Sequence, residues 1–294
     1  MPELPDVTVY VDALRERVAG QTLQGIRIAG ISLLKTYDPP VTAAAGRTVT
    51  GVERRAKRIV LALDGDLYLV LHLMVAGRLR WGEPGAKIPA RIGLAAFDFD
   101  TGALLLTEAG TKKRASLHLV AGRAAVAALD RGGIEVHAAR AEEFAAALAA
   151  ERHTLKRSLT DPRLFSGIGG AYADEILHRA RLSPMAMSDR LTPAEVERLR
   201  LAAVAVLDEW VERLRAEAGG DFPTGVTAFR PEMAVHGKYG EPCPVCGSPV
   251  QRIVYASNET NYCPGCQTGG RILADRSLSR LLKDDFPRTL EDLE

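Results

Sequence analysis

Two pairs of cysteines constrain this chain more than any other feature. Cys243-Pro-Val-Cys246 and Cys263-Pro-Gly-Cys266 are separated by sixteen residues. At that spacing two tight turns each present two thiolates, and together they complete a tetrahedral site. Residues 250–255 between them read as a strand, so a β-hairpin zinc ribbon is expected. All four positions are filled by thiolates, which leaves no open position for a bound water. One structural Zn2+ on Cys243, Cys246, Cys263 and Cys266 is therefore expected. These are the only four cysteines among 294 residues, too few for a disulfide scaffold in so long a chain.

The length favours two domains, and 47% hydrophobic with 26% charged residues excludes a disordered or fibrous chain. The amino terminus has no basic segment followed by an apolar core, so it is not read as a secretory signal. The most apolar stretch, residues 59–77, is interrupted by Asp64, Gly65, Asp66 and His72. It is too polar for a membrane span and reads as two strands and a turn. A reducing, cytoplasmic and nucleoid-associated location is expected, with no membrane partner and a monomeric state.

Val7, Tyr10, Val11, Leu14 and Val18 recur at helical spacing after Pro5, and Gly20 ends that helix. From about residue 23 to 120 the pattern is β. Segments 49–52, 58–63, 67–73, 93–99 and 103–107 are rich in β-branched and apolar residues, and Asp64-Gly65 and Asp100-Thr101-Gly102 mark hairpins. After Gly122 alanine-rich helical segments take over (124–129, 138–150, 193–218). The expected class is α+β: an amino-terminal β-sandwich with flanking helices, then a helical domain ending in the zinc ribbon. The expected divisions are 1–132, 133–240, 241–274 for the zinc finger and 275–294 for a tail read as helical, then loose.

Three segments together resemble the formamidopyrimidine-DNA glycosylase / endonuclease VIII group of base-excision repair enzymes. Met1-Pro-Glu-Leu-Pro-Asp-Val is similar to its amino terminus. Ser166-Gly-Ile-Gly-Gly-Ala-Tyr-Ala-Asp-Glu-Ile-Leu is similar to its helix–two-turn–helix signature, and residues 243–267 to its zinc finger. The resemblance implies a bifunctional glycosylase and abasic-site lyase acting on DNA with damaged bases or abasic sites. In that family the initiator methionine is removed, so Pro2 would offer a terminal secondary amine. Such a group titrates far below lysine and is partly unprotonated near neutrality. Glu3 would donate and accept protons at the sugar and leaving base. Lys57, in Arg54-Arg-Ala-Lys57-Arg58, would hold a phosphate and assist the departing base. DNA would lie in the cleft between the two domains. Read without the resemblance, Pro2 and Glu3 are a frayed end and Lys57 belongs to a solvated basic hairpin.

The resemblance also implies DNA contacts from His72, from Met74 or Val75 as void filler, from Lys113 and Arg114, from the turn Gly167, Gly169, Gly170 and Tyr172, and from the zinc hairpin at Asn258. Glycines before a helix let backbone N–H groups approach a phosphate. His72 beside apolar strands reads equally as a core histidine. Four departures from the family pattern stand out. Gly170 replaces its phosphate-binding asparagine, and Asn258 replaces an arginine, losing a charge-assisted contact. Ala115 replaces the intercalating phenylalanine, and Val75 its void-filling methionine. These changes remove help with base extrusion, which costs a few kcal/mol, so altered or relaxed lesion choice is expected. A degenerate relative that binds damaged or structured DNA without excising bases is the rival, and a protein-binding zinc-ribbon adaptor is a third reading.

The formal net charge of +1 conceals an asymmetry. Residues 1–150 hold 19 bases and 16 acids, giving +3, and residues 151–294 hold 19 and 21, giving −2. Bases cluster at 54–58 and 112–114, so weaker duplex binding than a typical member of the group is expected.

Overall fold

Pro5 and Asp6 begin the first helix early. The backbone N–H of Glu3 donates to the Asp6 carboxylate at 2.9 Å, which fixes the start of α1 (Leu4–Val18). The computed structural model describes residues 1–255, 258–273, 281 and 286–293. The helix expected in the tail falls largely on residues outside these. Among the described residues no helix is long and apolar enough to cross a membrane.

Two antiparallel sheets follow α1. One contains β1 (Thr22–Leu23), β3 (Arg47–Arg55), β4 (Arg58–Leu63), β5 (Leu67–His72) and β9 (Ser116–Ala121), in the order β1-β3-β4-β5-β9. The other is ordered β2-β7-β8-β6, with β2 (Gly25–Ile28), β6 (Gly77–Gly82), β7 (Gly93–Phe99) and β8 (Gly102–Glu108). Ile59, Leu61 and Leu69 from the first sheet and Phe97, Leu104 and Leu106 from the second share one core with Tyr10 and Leu14 of α1. The sandwich expected from the hairpin pattern is thus present. The outer face of β4 and β5 is covered as well: Val60 and Val70 pack with Val126 of α2 (Arg123–Ala128). Burial on both faces is why 59–63 and 67–71 read as continuous apolar runs rather than alternating ones. Between β4 and β5, Gly65 has φ +71 and Asp66 φ +58, the left-handed conformation that Asp-Gly turns supply.

The chain divides into two compact units, Met1–Arg131 with Glu209–Thr227, and Gly132–Asp208 with Ala228–Glu294. Phe222 and Val226 account for the first unit's later segment, since both are buried in the sandwich core. The second unit holds α3 (Ala141–Ala149), α4 (Leu155–Thr160), α5 (Gly170–Arg179), the first part of α6 (Pro193–Ala218), the hairpin β10 (Gln251–Tyr255) with β11 (Asn258–Tyr262), and the short α7 (Pro264–Gln267).

Candidate active site and zinc centre

The first unit gathers opposite charges around the amino terminus. Pro2, Glu3 and Asp6 are buried, the two carboxylates with only 2% of their surface exposed. Burial holds the chain's amino group below its ordinary pKa, with Glu3 and Asp6 opposing that shift and Arg78 and Lys57 adding to it. Lys57 follows Ala56, a turn residue with φ +52 between β3 and β4. Burial lowers its amine too, against the pull of the same two carboxylates. The amino terminus, Glu3 and Lys57 therefore sense one another's charge. Asp6 was not among the sequence-level candidates, although Glu3-x-x-Asp6 is a helix-start pattern that could have found it.

His72 closes β5, opposite Arg58 on β4 and Ser116 on β9. Burial, then Arg58, Lys57 and His118, depress its imidazole to about 4, so it is neutral at pH 7. His118 was missed because its proximity depends on strand register: it pairs with Val70, two residues from His72 on the same strand. A depressed value means the unfolded chain takes up this proton first as pH falls. His72 thus withdraws stability between pH 6.5 and about 4, with a ceiling of about 3 kcal/mol. His72→Gln should flatten the fall in urea midpoint from pH 7 to pH 4.5; equal falls in both proteins would contradict this assignment.

The turn after β5 presents Met74 and Val75. The Gly77 N–H donates to the Leu73 carbonyl at 2.9 Å, and a Cβ at Gly77 would stand 2.3 Å from that oxygen. Glycine is required there. Met74 takes φ +52, and Val75 is 53% exposed. After β8 the buried Glu108 carboxylate accepts from the backbone N–H groups of Arg114 at 2.8 Å and Ala115 at 3.1 Å. Lys113 donates its ammonium to the Glu108 carbonyl, while Arg114 is exposed. Ala115 is 3% exposed and belongs to the sandwich core. Glu108 organises this basic loop, and nothing local in the sequence signals that role.

In the second unit, Gly167 has φ +82 and Gly169 precedes α5. A Cβ added to Gly170 would meet nothing within 4 Å, so the space for a side chain is open. Tyr172 is 1% exposed; its ring seats α5 in the helical core and offers no surface to a ligand. Lys156 donates to the Gly170 carbonyl and to Asp174, and the Asp174 carboxylate also accepts from His236 Nδ1 at 2.8 Å. Glu175 accepts the backbone N–H groups of Ala234, Val235 and His236. The chain running into the zinc ribbon is thereby fastened to α5. Asn258 stands exposed at the start of β11, paired with Tyr255 across the hairpin tip.

All four cysteines are free thiols. Sulfurs from opposite pairs approach within 3.9 Å for Cys243–Cys266 and 3.3 Å for Cys246–Cys263. Four thiolates on zinc, each about 2.3 Å from the ion, require sulfurs at about such separations. A Cβ at Gly265 would stand 3.0 Å from Cys246 Sγ and 2.6 Å from Ser248 Oγ, so the second turn is shaped closely around the first. The donor set fits one structural Zn2+ and leaves no position for a reacting water.

The helix–two-turn–helix DNA glycosylases are the class that joins such a sandwich to such a glycine turn and ribbon. Three family models match in chain order: the formamidopyrimidine-DNA glycosylase N-terminal domain over residues 1–167, its H2TH domain over 134–218, and a zinc finger found in FPG and IleRS over 240–269. The chain belongs to the formamidopyrimidine-DNA glycosylase family. The formamidopyrimidine-DNA glycosylase of Chloroflexus aurantiacus is 35% identical over 280 residues, covering 91% of this chain and 98% of that protein. The Thermus thermophilus enzyme is 34% identical over 280 residues, covering 92% and 100%. Among solved structures, Lactococcus lactis Fpg in complex with abasic-site DNA shares the fold with a TM-score of 0.80 at 23% identity, covering 90% of this chain and 99% of that one.

Proposed function

We propose that this protein is a bifunctional DNA glycosylase and abasic-site lyase whose nucleophile is the amine of Pro2, freed by removal of Met1. The observation that carries the reading is the charge cluster at the amino terminus, where Pro2, Glu3 and Asp6 are buried together and Lys57 feels both carboxylates. A terminal α-amino group titrates far below lysine, and its unprotonated fraction can attack. Its lone pair forms a bond to the sugar C1′ while the bond to the damaged base breaks, and the base leaves with that electron pair and takes up the proton that the amine gives off. Glu3 supplies a proton to the sugar ring oxygen as the ring opens, and Lys57 steadies the adjoining phosphate. The resulting iminium acidifies the 2′ hydrogen, and its loss expels the 3′ phosphate and cuts the strand. The Lactococcus lactis relative is described with both abasic-site and Fapy-dG containing DNA, which supports that substrate class.

Lesion choice is altered in this reading. Gly170 and Ala115 carry no donor or wedge, and the burial of Ala115 closes that position to DNA. Met74 and Val75, presented by the turn after β5, are the apolar groups left to enter the gap. Borohydride trapping and strand cleavage, compared on abasic and 8-oxoguanine duplexes with Pro2→Gly as control, test the proposal. Strong trapping on the abasic duplex, weak turnover on 8-oxoguanine and, in Pro2→Gly, a large loss of excision with trapping reduced to what its primary amine supports are expected. Gly170→Asn fills open space and should tighten abasic-duplex binding severalfold. Equal, strong turnover on both duplexes would overturn the altered choice; binding without any trapped adduct would favour the non-excising rival.

A further inference from the structure

The zinc ribbon is gripped from outside by a side chain that the four-cysteine pattern does not include. His178, in the last turn of α5, is only 6% exposed, and its Nε2 lies 3.3 Å from Cys243 Sγ. A ring nitrogen of His178 and the sulfurs of Cys243, Cys263 and Cys266 all lie within 4.8 Å of one another. A nitrogen donor therefore stands against the cysteine cluster expected to hold the ion.

A zinc ion with four thiolates carries a net charge of −2, and that charge is stabilised by N–H groups directed at sulfur. Within the cysteine turns, the Val245 N–H reaches Cys243 Sγ at 3.5 Å and the Cys266 N–H reaches Cys263 Sγ at 3.4 Å. His178 differs because it comes from the helix that begins at the glycine turn. We infer that His178 is a positioning residue of the zinc centre: its Nε2–H donates to the Cys243 thiolate, and this bond ties α5 to the metal. Gln267 reinforces the same junction, accepting from the Cys263 N–H at 2.8 Å and donating to the Leu182 carbonyl at 2.9 Å. Leu182 lies three residues beyond the end of α5. Zinc occupancy and the seating of the glycine turn thereby become one structural property.

The test measures zinc release from the intact zinc-loaded protein to a colorimetric chelator, for wild type, His178→Phe and His178→Gln. Phenylalanine fills the buried space without a donor, and glutamine places an amide N–H near the position of Nε2. Release should be about 10- to 100-fold faster in His178→Phe, the range that loss of an outer-shell partner produces, and should return close to the wild-type rate in His178→Gln. In cobalt-substituted protein the sulfur-to-cobalt bands should report four thiolates in wild type and both variants. In wild-type protein loaded with 113Cd, the His178 Hε2 proton should show a scalar coupling to the metal through the sulfur. Wild-type release from His178→Phe, or equally fast release from both variants, would overturn the inference. A three-thiolate cobalt spectrum in wild type would make His178 a ligand and overturn it as well. Should neither variant fold, absence of the coupling in the wild type would decide against it.

Discussion

Glu3→Gln should lower base excision by about 10²- to 10⁴-fold, the range that loss of a positioned general acid–base produces. The substitution keeps the volume of a side chain that is 2% exposed. It also leaves intact the Glu3 backbone N–H bond to Asp6 that starts α1. The thermal midpoint should therefore move little, because the helix start is preserved. A preformed abasic sugar already exists partly as the open aldehyde and has no base to expel, so trapping on abasic DNA should suffer much less than excision. This split separates proton transfer from a role in helix capping alone. Wild-type excision combined with a lowered midpoint would assign Glu3 to the helix start and remove it from the chemistry.

Loss of zinc should have the largest structural effect. The ribbon's own buried cluster consists of Val235, Cys243, Val250 and Cys263, and two of those four are metal ligands. So small a core cannot offset the entropy of ordering the hairpin, and metal binding must supply the difference, on the order of 10–16 kcal/mol in zinc-finger peptides. Chelation, or Cys246→Ser, should abolish amide protection across β10 and β11 and sharply weaken DNA binding. Through His178 and Gln267 the loss should extend to the last turn of α5. Amides of β4 and β5, inside the sandwich core, should keep their protection. Persistent protection of the hairpin without metal would show that the ribbon folds on packing alone.

What the sequence revealed, and what it did not, divides along sequence distance. The paired cysteines were legible because their chemistry is local, and the turn at Gly167–Gly170 and the Pro2-Glu3 start are likewise short motifs that could be picked out without the fold. The hairpin at Asp64-Gly65 was legible because an Asp/Gly turn sits between strongly apolar segments, although the two positive φ values fall on Gly65 and Asp66. The roles of Glu108, His118 and His178 were not. Each depends on a partner brought in by folding: Glu108 on a loop that returns to it, His118 on the register of β5 against β9, and His178 on a cysteine 65 residues away. Tyr172 and Ala115 show the converse. Both lie in segments aligned with DNA contacts, yet packing places their side chains in cores. His72 is half-buried at a strand end with Arg58, Lys57 and His118 nearby, a setting that follows from strand register rather than from its own segment.

In the proposed reaction the chain's own terminal amine becomes covalently joined to DNA. This step is tested most directly by borohydride reduction of the protein on an abasic-site duplex, followed by mass spectrometry of the trapped peptide. The adduct should sit on the nitrogen of Pro2, in a peptide that lacks Met1. An adduct on the Lys57 side chain, or a peptide still beginning with Met1 and carrying no sugar, would contradict it.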